Sequence, residues 1–315
     1  MSRFLRSSLF VVFSLVLVLS LGCSAAVSAP TTPGTITDQL GRTVKLDKVP
    51  QRIISLAPSN TEILYALGLA DKVVGVTDYD DYPPEVKQKT SIGGFTTPNI
   101  EKIVSLSPDL VLATDIQQKE VIPNLEQRGI TVMALAPQNL DGVLSAITLV
   151  GQATGSEKEA SKLVASMQAS ITQITSATSN LSPSQRPRVF YITWSDPLMT
   201  VGSGNLDDDI IRKAGGTNIA SNLSGSTTIS LEAVVQDNPQ VIIAGVGMGS
   251  GGDQPYQFAL TENSLRNTDA RTNNHVYSVD MDVAGRAGPR IAQVLQEFAE
   301  LIHPELFGTP TNTKG

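Results

Sequence analysis

The chain has few of the residue types that most often carry redox chemistry or metal binding. Its 315 residues include one cysteine, two histidines and one tryptophan. A single cysteine cannot form a disulfide within the chain, and zinc sites need a cluster of imidazole, thiolate or carboxylate ligands. His275 is expected at the start of a strand and His303 at the end of the last helix. We therefore predict no metal site and no catalytic cofactor.

Motifs typical of enzymes are also missing. The sequence has no Gly-x-Ser-x-Gly elbow and no phosphate-binding lysine loop. Residues Gly247 to Gly252 satisfy the pattern Gly-x-Gly-x-x-Gly after a strand, but Asp253-Gln-Pro-Tyr follows where a helix should begin, so we predict a loop. Glu101 and Glu232 could act as an acid/base pair in a two-domain enzyme. Nothing else in the sequence supports that alternative.

Basic residues are neither abundant nor clustered. The formal net charge is −7, and only 17% of residues are charged. An acidic chain without a lysine or arginine cluster argues against nucleic acid as a partner. The hydrophobic content of 41% is ample for a folded core.

The N-terminus has the pattern of an export signal. Arg3 and Arg6 precede an apolar run from Leu9 to Leu21, which is short for a membrane span of about 20 residues. We predict a signal peptide over residues 1–22. Its removal takes away two arginines and no acid, which leaves a charge of −9.

The only cysteine stands directly after this run, in Leu21-Gly22-Cys23-Ser24. This stretch resembles the bacterial lipobox, although Ser20 stands where lipoboxes usually carry leucine. The resemblance implies that Cys23 is lipidated and anchors an exported protein to the cell membrane. The alternative is ordinary cleavage after Ser24-Ala25-Ala26, which would release a soluble protein. We assign residues 23–48 to the lipid attachment, a flexible tether and an N-terminal strand region.

One segment of the body is repeated. Residues 99–113 recur 131 positions later as residues 230–244. In both copies a capping residue, Asn99 or Ser230, opens a helical pattern, a proline ends it, and a short apolar strand follows. Two copies at this distance indicate two similar lobes.

Short apolar runs alternate with helical patterns throughout the body. Such alternation predicts mostly parallel sheets with crossover helices, and hence an α/β fold of two Rossmann-like lobes. We place the N-terminal lobe at residues 49–155, the C-terminal lobe at 182–308 and a tail at 309–315. The predicted strands are Ile53–Leu56, Val73–Val76, Leu110–Leu112, Val132–Leu135, Val189–Ile192, Val241–Ile243 and His275–Val279, and the predicted helices include Thr61–Leu67, Glu120–Arg128, Asp207–Ala214 and Ile291–Ile302.

A single long helix is predicted between the lobes, over residues 156–181. This stretch has no glycine or proline up to Asn180, and its apolar residues form one stripe at helical spacing. A rigid helical connection predicts lobes that move little against each other, with a ligand cleft between them.

The chain from Val49 to Pro304 resembles the helix-linked class of periplasmic binding proteins, which serve ABC importers of cobalamin, siderophores and heme. The markers are Arg52–Glu62, Ala66-Leu-Gly68, Val74-Gly-Val76, the paired Glu-x-[Ile/Val]-Val segments and Gly288-Pro-Arg-Ile291. Tyr79–Glu85 and the Asp282-x-x-x-Arg286 spacing with Pro289-Arg290 are most similar to the cobalamin-binding members. The resemblance implies a monomeric binding protein, not an enzyme, whose ligand is a cobalt corrinoid that it delivers to a permease. A ferric siderophore, or heme ligated through Tyr79, Tyr82 or Tyr256, is the alternative ligand.

Candidate ligand contacts follow the predicted strands. Ligands of parallel α/β sheets bind beyond the carboxyl ends of the strands, and aromatic faces suit a flat macrocycle. Asp282 and Arg286 are expected to hydrogen-bond amide side arms, although Arg286 could instead form a surface ion pair and the aromatic residues could fill core volume. The predicted ligand-binding residues are Ser59, Asn60, Tyr79, Tyr82, Phe95, Trp194, Asp282 and Arg286.

The repeated glutamates are predicted to dock the permease. Glu101 and Glu232 each stand two residues after the helix cap, one in each lobe. The family resemblance implies that they engage arginine pockets on the two permease subunits. The alternative is that each acid only interacts with its helix dipole, a contribution of about 0.3–1 kcal/mol.

Overall fold

A computed structural model describes residues 34–247 and 251–308. The predicted signal peptide, Cys23 and the tail at 309–315 lie outside the described residues. Within the two described ranges, every helix is too short or too polar to cross a bilayer.

The N-terminal half alternates strands with helices, as the apolar pattern predicts. Its elements are β1 (Gly34–Thr37), β2 (Thr43–Leu46), β3 (Ile53–Ser55), α1 (Pro58–Ala66), β4 (Val73–Gly75), α2 (Ile100–Ser105), β5 (Leu110–Ala113), α3 (Val121–Gln127), β6 (Val132–Ala134) and α4 (Leu140–Thr154). The longest helix, α5 (Glu157–Thr178), then leads into the second half. The single long helix predicted at this place is therefore confirmed.

The C-terminal half repeats the alternation and adds short antiparallel strands. Its elements are β7 (Arg188–Ile192), β8 (Trp194–Ser195), β9 (Leu198–Val201), α6 (Leu206–Lys213), β10 (Thr217–Asn218), β11 (Ser226–Thr228), α7 (Leu231–Asp237), β12 (Val241–Val246), α8 (Gln254–Thr261), α9 (Asp269–Thr272), β13 (Val276–Asp280), α10 (Met281–Ala284), α11 (Ile291–Ile302) and α12 (Pro304–Phe307).

Each half contains a four-stranded parallel sheet, and the two sheets have the same topology. The strand orders are β4-β3-β5-β6 and β10-β7-β12-β13. If the strands of each sheet are numbered along the chain, both orders read 2-1-3-4. The repeated segment supplies the third strand of each sheet, β5 and β12. The α/β fold of two lobes with parallel sheets is thus confirmed.

Both sheets share one apolar core. Alternate residues such as Ile53 and Leu110 of one sheet and Val189 and Val241 of the other belong to a single buried cluster, together with residues of α4, α5 and α11. The opposite faces of the sheets pack on separate clusters beneath α2 and α3, and beneath α7 and α8. The central helices therefore bury one face of each sheet in a common interior, which joins the lobes more firmly than a flexible linker would.

Three details differ from the sequence prediction. A helix, α8, does begin at Gln254 after the glycine-rich loop, and Pro255 is tolerated in its first turn because the amide hydrogen it lacks would have no partner there. Helix α11 is not the last, since α12 follows His303. Helix α4 was not predicted.

Candidate functional site

A cavity of about 450 Å³ lies where the two lobes meet. It brings together five of the residues predicted to bind ligand: Ser59, Tyr79, Phe95, Asp282 and Arg286. Four of them closely follow the carboxyl end of a parallel strand, because Ser59 comes after β3, Tyr79 after β4, and Asp282 and Arg286 after β13. Phe95 belongs to the loop before α2. We call this space the Tyr79 cavity. It combines two aromatic side chains with an acid and a base.

Asn60 does not belong to this cavity surface, although it was predicted as a ligand contact. The residue is only 1% exposed, and its side-chain amide donates a hydrogen bond to the Ala113 carbonyl at 3.1 Å. The amide thus ties α1 to the end of β5. Helix α1 turns this side chain inward, while the neighbouring Ser59 faces the cavity.

Tyr82 lines a different space from Tyr79. A second cavity of about 470 Å³ lies beside the long helix, with Tyr65, Tyr82, Leu163, Met167 and Arg290 among its lining residues. The Arg290 guanidinium carbon lies 4.1 Å from the centre of the Tyr82 ring, a cation–π contact. We call this space the Tyr82 cavity.

Trp194 is not among the described residues that line the Tyr79 cavity. Its indole nitrogen donates to the Asp196 carbonyl at 2.7 Å. A side chain built at Gly251 would approach the Trp194 ring at 2.9 Å, and one built at Gly247 would approach an Asp282 oxygen at 2.8 Å. Gly251 therefore lies against Trp194, whereas Gly247 lies against Asp282.

A network of ion pairs connects the lobes between the two cavities. Glu62, on α1, is buried and accepts two hydrogen bonds from Arg290, at 2.5 and 2.9 Å, in a bidentate pair. Arg286 lies 3.4 Å from the same carboxylate and 2.5 Å from Asp81. Both arginines follow β13 in the C-terminal lobe, whereas both acids belong to the N-terminal lobe. The ion pairs therefore fasten one lobe to the other.

Arg286 lines the Tyr79 cavity and also forms ion pairs with Asp81 and Glu62. Burial by itself would lower the pKa of Arg286, but the hydrogen bond and charge of Asp81 and the charge of Glu62 outweigh burial and raise it. The guanidinium also donates to the Tyr79 carbonyl at 3.4 Å. Arg286 thus holds the backbone of the loop that carries Tyr79.

Asp80 anchors the same loop from inside. One carboxylate oxygen accepts hydrogen bonds from the amide and hydroxyl of Thr77, at 2.9 and 2.5 Å. Burial raises the pKa of Asp80, and this effect exceeds the opposing hydrogen bonds from Thr61 and Thr77 and the charge of Arg286. The other carboxylate oxygen is buried without a hydrogen-bond partner among the described residues.

Sequence reasoning missed the ion-pair network, although its members were visible. Glu62 and Arg290 both stand in the motifs that carry the family resemblance, but no role was assigned to them. A glutamate directly before the apolar Ile63 and Leu64 of the first helix was the available signal, because a buried acid requires a partner. Its partner lies 228 residues away along the chain, and only the folded structure brings the two together.

Glu101 and Glu232 lie on exposed surfaces of equivalent helices, α2 and α7, and neither lines the Tyr79 cavity. The Glu101 side chain is 82% exposed and lies 3.3 Å from Arg128. Glu232 borders a shallow depression with Leu231 and Val235. Because the two acids face outward on separate lobes, they cannot act on one bound substrate.

The two histidines do not form a metal centre. His303 is buried, with its ring nitrogens 2.7 Å from Glu305 and 3.1 Å from the Gly215 carbonyl oxygen, and His275 stacks near Tyr277. Among residues 34–247 and 251–308, no three His, Cys, Asp or Glu side chains are arranged to hold a metal ion. Tyr256 packs on the core cluster beneath α8.

Comparison with known families identifies the architecture. Residues 53–283 match the family described as "Periplasmic binding protein". The chain belongs to this family. The uncharacterized ABC transporter substrate-binding lipoprotein YvrC of Bacillus subtilis is 35% identical over 280 residues, which cover 87% of each chain. This periplasmic binding protein is therefore the substrate-binding protein of an ABC transporter and not an enzyme.

Two further relatives differ in the ligand that their names give. The cobalamin-binding protein of Halobacterium salinarum is 29% identical over 287 residues, covering 89% of this chain and 75% of the relative. The apo structure of the periplasmic heme-binding protein RhuT from Roseiflexus sp. RS-1 is 27% identical, with a TM-score of 0.71, and covers 80% of this chain and 98% of RhuT. Both alignments extend over the two lobes, and the likeness to RhuT shows that the periplasmic binding protein shares its fold over the residues covered.

Proposed function

We propose that this binding protein captures a corrinoid in the Tyr79 cavity and delivers it to the permease of an ABC importer. The observation that carries the proposal is the meeting of Tyr79, Phe95, Asp282 and Arg286 in one inter-lobe cavity. These residues include the sequence features most similar to cobalamin-binding members. The similarity to the cobalamin-binding protein of Halobacterium salinarum supports the same ligand class.

The residues of the cavity suit different parts of a corrinoid. The rings of Tyr79 and Phe95 offer apolar faces to a flat macrocycle. Asp282 accepts hydrogen bonds and Arg286 donates them, so the pair can satisfy the N–H and C=O groups of amide side arms. The carbonyl of Tyr79 and the carboxylate of Asp81 hold the Arg286 guanidinium in place before ligand arrives. This fixed position reduces the entropy lost on binding.

Heme or a ferric siderophore is the second candidate ligand. The similarity to the heme-binding protein RhuT favours heme, and the exposed Tyr79 phenol at the cavity offers an oxygen ligand for iron. In either case the ligand is cargo for transport and not a resident cofactor.

We propose that Glu101 and Glu232 dock the protein on the permease dimer. Both carboxylates are exposed, and they occupy equivalent positions on the two lobes. Carboxylate–guanidinium pairs would give bidentate geometry and electrostatic steering at each contact. The monomeric protein would thereby present one acid to each half of the permease.

We propose that Cys23 carries a lipid that holds the exported protein at the outer face of the cell membrane. The lipoprotein relative YvrC supports this assignment. A Cys23→Ala precursor should lose its acyl label and remain uncleaved or be released as soluble protein. Equal membrane retention of the variant would contradict the proposal.

Titration calorimetry with four candidate compounds tests which ligand the protein binds. Cobalamin, cobinamide, hemin and a ferric siderophore are titrated separately into the purified protein, and we expect one corrinoid site of micromolar or higher affinity. Tyr79→Ala should weaken binding by roughly 10-fold through loss of ring contact. Tyr82→Ala, in the other cavity, is the matched control and should have a smaller effect. Heat with hemin or siderophore but none with either corrinoid would overturn the corrinoid assignment.

A further inference from the structure

The two proposed docking helices share an exposed apolar residue as well as a glutamate. Val104 follows Glu101 by three positions, and Val235 follows Glu232 by the same spacing, so each valine lies one helical turn from its acid on the same side. Val104 is 36% exposed and Val235 41% exposed. The preceding residues, Ile103 and Val234, are both fully buried. Each helix thus turns one apolar side chain inward and the next one outward.

Local hydrogen bonds give both helices the same start and the same end. The Asn99 side chain accepts from the Lys102 amide at 2.9 Å, and the Ser230 hydroxyl accepts from the Ala233 amide at 3.2 Å. At the other end, Ser107 and Asn238 both have φ of +46°. Left-handed backbone at a residue other than glycine is uncommon, so its recurrence at equivalent positions indicates that the whole helix geometry is repeated.

An arginine at the start of the first parallel strand of each half also fixes the end of each helix, since Arg52 directly precedes β3 and Arg188 opens β7. Arg52 donates to the carbonyls of Leu106 and Ser107, at distances of 2.6 to 3.1 Å. Arg188 donates to the carbonyls of Asp237 and Asn238, at distances of 2.7 to 3.0 Å. These carbonyls are equivalent in the repeat and have no partner within their helices. The two helices are therefore held to their sheets by the same contact.

A single exposed valine is ordinary on a protein surface. Two exposed valines at the same repeat position, each one turn from a docking glutamate, form a pattern that folding does not require. At the second site the apolar surface continues into a depression of about 480 Å³, which Leu231, Glu232, Val235, Gln236 and Ser264 line. The acid and the valine together are complementary to a partner surface on which a basic side chain lies next to an apolar one.

We propose that Val104 and Val235 are the apolar halves of two matching contact sites for the permease of the importer. At each site the glutamate pairs with a basic side chain of the permease, while the valine is buried against an apolar side chain next to it. This inference rests on the proposed docking function. The glutamate and the valine are expected to affect different rates. Charges mainly govern the rate of association, whereas buried apolar contacts mainly govern the rate of dissociation.

Binding kinetics on the permease tests this inference. The importer is reconstituted in nanodiscs, and the mature protein is applied as wild type, Val104→Thr, Val235→Thr and the double variant. Threonine keeps the branched shape but places a hydroxyl in the contact. We expect each single change to raise the Kd by roughly 3- to 10-fold, mainly through faster dissociation, with an unchanged salt dependence. Leu306→Thr, an exposed residue on α12, should bind as the wild type does.

Glutamate variants separate this inference from the docking proposal. Glu101→Gln and Glu232→Gln should slow association and flatten its salt dependence. If the glutamate variants weaken binding and the valine variants do not, the valine inference is wrong and the docking proposal stands. If all four variants bind as wild type does, the docking proposal fails and the inference fails with it. If light scattering shows that the wild type forms dimers that Val104→Thr or Val235→Thr dissociates, the patches are contacts between copies of this chain instead.

Discussion

Replacing Glu62 by glutamine would remove one charge from the contact between the lobes and keep the volume of the side chain. The Glu62 side chain is 2% exposed, and it receives two hydrogen bonds from Arg290 and a longer one from Arg286. Removing one member of a buried ion pair typically costs about 3–5 kcal/mol. The glutamine oxygen still accepts one bond from Arg290, so we expect the lower end, a loss of about 3 kcal/mol in the free energy of unfolding.

Urea unfolding at pH 7 measures this loss, and an exposed ion pair provides the control. Lys45 and Asp47 form a contact with side chains 77% and 81% exposed, so Asp47→Asn should change the free energy of unfolding by less than about 0.5 kcal/mol. High salt should leave the effect of Glu62→Gln largely in place, because buried pairs are poorly screened. A loss below about 1 kcal/mol for Glu62→Gln would refute the assignment of Glu62 as the carboxylate that fastens the lobes.

Three further predictions concern other parts of the molecule. Burial raises the pKa of Asp207 to about 7 from its ordinary 3.8, so the folded state should lose stability as the pH rises from about 4 to 7. The full pKa shift corresponds to about 4 kcal/mol of folding stability. The partial exposure of Asp207 and its place at the N-terminus of α6 reduce this contribution. Asp207→Asn should therefore flatten the pH dependence by about 2 kcal/mol in urea unfolding, and an unchanged profile would contradict this. Gly151→Ala should cost about 1–3 kcal/mol in thermal unfolding, because the new methyl group would lie 2.5 Å from Ala160; a stabilised variant would show that α4 and α5 are not tightly packed. Trp194, the only tryptophan, does not line the Tyr79 cavity, so Trp194→Phe should leave ligand affinity unchanged in calorimetry; a loss of roughly 10-fold would show that the ligand extends to the indole.

Much of the fold could be predicted because the signals were local. Several parallel strands, such as β3, β5 and β6, are short apolar runs that are buried on both faces, and the repeat at residues 99–113 and 230–244 marks the same strand of both sheets. Helix α4 was not predicted because its sequence contains Gly142, Gly151 and several β-branched residues, which have low helix propensity. Its stability comes from packing on α5, where the missing side chain of Gly151 permits close approach. Tertiary contact therefore decided the conformation of this segment.

The site was predictable only where backbone topology decides it. Ser59, Tyr79, Asp282 and Arg286 meet because each closely follows the carboxyl end of a parallel strand. The direction of a side chain within a turn follows no such rule.

Asn60 and Tyr82 show the limit of that reasoning. Asn60 is one residue from Ser59 yet turns into the core, and Tyr82 is three residues from Tyr79 yet stacks under Arg290 beside the long helix. The rotation between successive residues of helix α1 determines where Asn60 points, and the course of the loop determines where Tyr82 points.

The common interior of the two lobes opposes changes in the distance between Glu101 and Glu232. Because α4, α5 and α11 belong to one buried cluster with both sheets, changing the spacing of the lobes would require the core itself to repack. We therefore expect the two glutamates to keep their separation whether the cleft is empty or occupied. We expect a permease to distinguish the loaded from the empty form by what has changed at the mouth of the cleft, in the Tyr79 loop that Arg286 holds.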